Sequence, residues 1–302
     1  MTFMRPFYLV GGVGVAAAAG VAAWLLLQPA EPADSAAAPA IAAAPIPGPP
    51  QPAAVLPAVP ATPGAAESPG GAEETAGVRI DDPRHLACLA QASGDARAAL
   101  RAAEQLERRG AMDAGEHCAA AAYLALGEPG EAARRLERLG SGAEAPSQLR
   151  AAWLAQAGQA WMMAGDAQRA FGAATLALVL VPDDIDLLID RAIAVASLGR
   201  PFEAIDDLNR VIDLDPARAE AFVFRASAWR QAGRRELAAD DVARALALDP
   251  GNPEAFLERG MLRSAARDFA NARGDFQRAA ELAPGTPTEE LARAQIEAIA
   301  GR

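Results

Sequence analysis

Four residues in this chain have side chains suited to metal, redox or nucleophilic chemistry, and they fall close together: His85, Cys88, His117 and Cys118 are its only histidines and cysteines. Four readings are open. The cysteines can pack as small apolar side chains, close a disulfide, bind zinc together with the histidines, or act as a redox pair. On a helix, adjacent His117 and Cys118 would point about 100° apart, which makes tetrahedral zinc closure awkward. The Cys-x-x-Cys spacing of a redox motif is missing.

The rest of the composition removes chemistry. All 28 basic residues are arginine, so no lysine can serve a phosphate loop or a Schiff base. A net charge of −11 gives no electrostatic footprint for nucleic acid. Arg108-Arg109 and Arg134-Arg135 lie near glutamates at helical spacings and read as solvated faces. The acid pairs Asp183-Asp184, Asp206-Asp207 and Asp240-Asp241 read as capping and solvated groups rather than an acid–base pair. No catalytic constellation emerges. The expectation is a protein that is not an enzyme and has neither cofactor nor metal.

The elements that must position these residues follow a schedule. Pro182, Pro216, Pro250 and Pro284 are 34 residues apart. The same beat carries Leu180, Leu214, Leu248 and Leu282, then Ala170, Ala204, Ala238 and Ala272, and Gly158, Ala192, Ala226 and Gly260. Leu154, Leu188, Phe222 and Phe256 open the units, and Gly165, Gly199 and Gly233 mark turns, with Arg267 in the fourth. A proline lacks the amide hydrogen a helix interior needs, so each beat ends a helix.

This layout resembles the tetratricopeptide repeat, a helix–turn–helix unit that stacks into a superhelix with a concave groove. The resemblance implies an all-α solenoid. Four units span 151–286, and two degenerate ones span 78–146. "GEPGEAARRL" aligns with "GRPFEAIDDL", and "GDARAAL" with "GDAQRAF". About four residues are inserted around Gly140 to Pro146. Thr286-Pro287-Thr288-Glu289 predicts a capped final helix over 287–302. Arg263 stands where Trp161 and Trp229 supply an aromatic, and Arg267 replaces the turn glycine, so the fourth unit is expected to pack more loosely.

In this family the first helix of each unit lines the concave face. That places Gln156, Gln159, Met163, Asp186, Ile189, Asp190, Ile193, Glu220, Val223, Phe224, Ser227, Leu257, Glu258 and Met261 in a peptide-binding groove, apolar with acidic edges. The clamp of Lys, Asn and Arg that some members use to grip a carboxylate terminus is absent. The expected guest is a protein or peptide segment with apolar anchors and basic flanks, held mainly by burial. The competing reading is that these side chains pack between helices or cover the protein's own linker.

Upstream, Phe7 to Leu27 is an uncharged, mostly apolar run of 21 residues. At about 1.5 Å per residue it reaches ~31 Å, enough for one transmembrane helix. A cleaved signal ending near Ala36-Ala37-Ala38 is the alternative. Arg5 lies before the span and the next basic residue is Arg79. Positive-inside bias then sets residues 1–6 in the cytoplasm and the repeats in the periplasm, across a bacterial inner membrane. Gly12, Ala16 and Gly20 form a small-residue stripe that permits a homodimer through the span. Residues 28–77 hold 12 of the 23 prolines and no basic residue, which predicts a disordered Pro/Ala-rich tether.

The repeat register sets Cys88 and Cys118 on neighbouring first helices, and the expected compartment is oxidising, which favours a disulfide over zinc; ordinary packing cysteines remain open. The function expected is a membrane-anchored interaction scaffold or chaperone-like adaptor of the cell envelope. Alternatives are a released periplasmic protein, or an accessory subunit of a translocon or cytochrome maturation complex.

Overall fold

The computed structural model describes residues 82–142 and 144–301. The predicted cytoplasmic N-terminus (1–6), transmembrane helix (7–27) and linker (28–77) lie outside the described residues. Among those described there are 13 helices and no strand. None of these helices is long and apolar enough to cross a membrane.

The helices form six hairpins and a final helix. These are α1 (Pro83–Ala92) with α2 (Ala96–Arg108), α3 (Met112–Ala125) with α4 (Pro129–Ser141), and α5 (Ser147–Met163) with α6 (Ala167–Leu180). Then come α7 (Ile185–Ser197) with α8 (Pro201–Leu214), α9 (Ala219–Gln231) with α10 (Arg235–Leu248), α11 (Pro253–Ala265) with α12 (Phe269–Leu282), and α13 (Pro287–Ala298). The third unit starts at Ser147 rather than 151, and α5 runs to 17 residues against 13 in α7.

Local chemistry sets the boundaries. The side chains of Asp95, Asp166, Asp184, Asn252 and Asp268 accept backbone N–H groups that helix starts leave unpaired. At α13, Thr286 caps the amide of Glu289, but the Glu289 carboxylate accepts from Gly285 N at 2.6 Å, one residue before the cap. The hairpin turns need left-handed backbone, and Gly165, Gly199 and Gly233 have φ of 78°, 74° and 72°. Arg267 adopts φ 64° at the same step, the one non-glycine among the described residues with positive φ. Its side chain is exposed and loses no packing on removal. Arg267→Gly is therefore expected to stabilise the fold by about 1 kcal/mol, read as a higher urea midpoint; an unchanged or lower midpoint contradicts strain at this turn.

Close approach of paired helices explains the small-residue column. Ala192 and Ala226 are buried, and a Cβ on Gly260 would lie 2.5 Å from the Phe276 ring. Phe276 and Leu257 are fully buried around that gap. This corrects the expectation of a looser fourth unit. Arg263, in the aromatic position, instead donates to Asp275 Oδ2 at 2.6 Å.

A second repeat-spaced feature departs from the solvated reading of the acid pairs. Arg191, Arg225 and Arg259 on first helices form two-pronged ion pairs with Asp207, Asp241 and Asp275 on the second helices of their own hairpins. Asp241 and Asp275 are buried. Asp184 is a cap, as expected, and Asp206 and Asp240 are exposed. Solvation therefore fails for Asp207 and Asp241, each of which is held by a guanidinium fork.

First helices touch along the array: α1 meets α3, α5 meets α7, and α7, α9, α11 and α13 follow in turn. Second helices make no comparable row. Closer spacing along one row curves the stack with that row inside, so the first helices form the inner face.

Candidate peptide-binding groove

Side chains project from the inner row in columns 34 residues apart, and burial sorts the columns. Ile189, Val223 and Leu257 are buried. Val223 sits with Ala245 of its own hairpin and Ala255 of the next, and Leu257 with Phe276 of its own hairpin and Leu291 of α13. These three are core and do not line an open surface, which corrects their assignment to the groove. Gln156, Asp190 and Phe224 share one column and are half-buried. Glu258, the fourth of that column, is fully buried and pairs with Arg230 through a 2.5 Å bond to Nε. Gln159, Ile193, Ser227 and Met261 form the next column; Ile193 and Ser227 are buried, while Gln159 and Met261 are half-buried. Met163 and Asp186 are exposed and Glu220 is half-buried.

Side-chain bonds tie first helix to first helix along this face. His85 and His117 meet at 3.2 Å between Nε2 and Nδ1, and His117 Nε2 lies 3.1 Å from Gln156 Oε1. Gln159 Nε2 donates to Asp190 Oδ2 at 3.3 Å, and Arg218, at the start of α9, pairs with Asp186. Arg230 meets Glu258, and Thr288 Oγ1 donates to Glu254 Oε1 at 3.0 Å. The last two contacts bury Glu258 and Thr288. The half-buried and exposed predicted residues lie mainly on α5, α7 and α9.

Within that stretch is a small apolar socket between α7 and α9, floored by Ala204 and Leu208 of α8. Its walls include Ile193, Ala196, Phe224, Ser227, Ala228 and Gln231. Ala196 and Gln231 were not among the predicted residues. The signal was present: Phe224, Ser227 and Gln231 continue one helical stripe at i, i+3 and i+7.

One turn away the surface is acidic. Burial pushes the Asp190 carboxyl up to about 7, and the charges of Asp186, Glu220 and Asp184 push the same way against the Gln159 hydrogen bond. Burial also holds His117 down to about 4, with His85 adding to the effect and the Gln156 bond opposing it. His117 is therefore neutral near pH 7 and serves as a bridging polar group between helices.

Cys88 and Cys118 form a disulfide with Cα atoms 5.9 Å apart, stapling α1 to α3. This overturns both the packing-cysteine and zinc readings: among the described residues neither cysteine is free, and no cluster of three or more His, Cys, Asp or Glu could hold a metal.

Helical hairpins stacked with their first helices inside, and a groove running across them, define an α-solenoid of the repeat-scaffold class. Residues 158–228 match the tetratricopeptide repeat family model. The chain thus contains tetratricopeptide repeats over that segment, and its other helical hairpins share their form. A thermophilic repeat protein of Thermus thermophilus superposes over 62% of this chain and 98% of its own, with 18% identity and a TM-score of 0.50. YrrB, described as having an unusual peptide-binding site, aligns over 64% of this chain and 96% of its own at 17% identity, TM-score 0.44. MamA of Desulfovibrio magneticus covers 63% of this chain and 96% of its own at 21% identity, TM-score 0.44. No curated protein sequence matches.

Proposed function

We propose that this protein is a non-catalytic interaction scaffold of the bacterial envelope, holding a peptide segment of a partner protein across α5, α7 and α9. The socket between α7 and α9 carries the reading. It is a shallow apolar depression on the inner face with Phe224 half-buried at its wall, with room for the tip of an apolar side chain to rest against it. The uncharged run 7–27 would hold the array at the inner membrane, and the Pro/Ala-rich segment 28–77 would set its reach. The Cys88–Cys118 disulfide supports a periplasmic setting, because such bonds persist in oxidising compartments.

Site-specific photo-crosslinking in intact cells tests this. A photoreactive residue at Phe224 of the full chain is expected to capture a partner polypeptide, while one at exposed Leu237 on the outer helix α10 is not. Equal capture at both positions, or none at Phe224, overturns the groove reading.

A further inference from the structure

We infer that the groove selects an extended segment carrying a lysine or arginine two residues from an apolar anchor, with Asp190 receiving the cation and the socket beside Phe224 receiving the anchor. The inference rests on the groove reading above and names the chemistry of its guest.

The geometry supplies two different subsites on adjacent helices. Asp190 and Phe224 occupy the same repeat position on α7 and α9, and packed helices stand about 8–10 Å apart. The socket lies between those helices. Ile193, on its near wall, is one turn from Asp190, about 4.5 Å along the axis. The separation of carboxylate and socket therefore suits side chains at i and i+2 of an extended peptide, about 7 Å apart on one face. A helical guest would present i and i+3 or i+4 instead.

Charge then decides what the acidic subsite takes. The groups acting on Asp190 are Gln159 from α5, Asp184 and Asp186 at the start of its own helix, and Glu220 from the start of α9. Arg218 is already shared by Asp186 and Glu220. Among the described residues no arginine is ion-paired with Asp190, whose hydrogen-bond donor is a neutral amide. A half-buried carboxylate among like charges gains most from an incoming cation. Because Asp190 is pushed up to about 7, it is largely protonated at pH 6 and ionised at pH 8. Affinity for a basic guest should rise through that interval.

The test is selection of a random heptapeptide display library on the full-length protein at pH 8. Enrichment of Lys/Arg-x-Leu, Met or Phe is expected. A selected peptide should bind several-fold, and at most about tenfold, tighter at pH 8 than at pH 6. Asp190→Asn should remove both the basic preference and the pH dependence while keeping the apolar one, and Phe224→Ser should do the reverse. Enriched peptides without a basic position, or with basic and apolar residues at i and i+4, overturn this inference and leave the groove standing. A basic preference that survives Asp190→Asn overturns it too. Failure of every peptide to bind overturns the groove reading itself.

Discussion

Replacing Arg230 by alanine is expected to cost about 3–5 kcal/mol. Glu258 is fully buried, its Oε1 accepts from Arg230 Nε at 2.5 Å, and its Oε2 has no hydrogen-bond partner. Removing the guanidinium leaves a carboxylate away from water with nothing to balance it. Such a loss lowers the melting temperature by roughly 10 °C in an array of this size. The pair itself need not be strongly stabilising, since taking both charges out of water is costly. The double change Arg230→Met with Glu258→Leu should therefore recover most of the loss. An apolar residue suits position 258, because Phe224 holds the same repeat position one unit earlier. Urea denaturation of the two single variants and the double closes a thermodynamic cycle. If Arg230→Ala costs less than about 1 kcal/mol, the pair is solvated and the burial of Glu258 is wrongly described.

Loss of the Cys88–Cys118 bond should come second in size. Its two cysteines are separated by 30 residues, and on the chain-entropy account a loop of that length is worth about 3–4 kcal/mol. The effect should be local. Hairpins in a solenoid are stabilised by their neighbours, and the first described hairpin has a neighbouring hairpin on one side only. Cys88→Ala with Cys118→Ala should therefore raise hydrogen exchange in α1, α2 and α3 while leaving α7 to α12 nearly unchanged. Reducing the wild-type protein should reproduce the pattern without any substitution. Unchanged exchange in α1 after reduction would mean that His85, His117 and the apolar contacts hold that end alone.

These two sites mark the division between local and tertiary information. The number, length and order of the hairpins follow from local chemistry. A turn glycine, a capping aspartate and a helix-ending proline each act on backbone within a few residues, so the 34-residue spacing of Gly165, Gly199 and Gly233 carries the fold directly. Which side chains stand on first helices was legible for the same reason. Which of them reach the groove was not. Ile189 and Asp190 are neighbours in sequence, yet one is core and the other lines the open face, because a turn of about 100° separates a direction toward the next unit from one toward solvent. The partners of Asp241, Asp275 and Glu258 were equally hidden. A carboxylate on a repeating helix looks solvated until the guanidinium of Arg225, Arg259 or Arg230 is brought against it from another helix. Opposition across a helix interface depends on the angle and register at which two helices pack, and those are set only once the hairpins have docked.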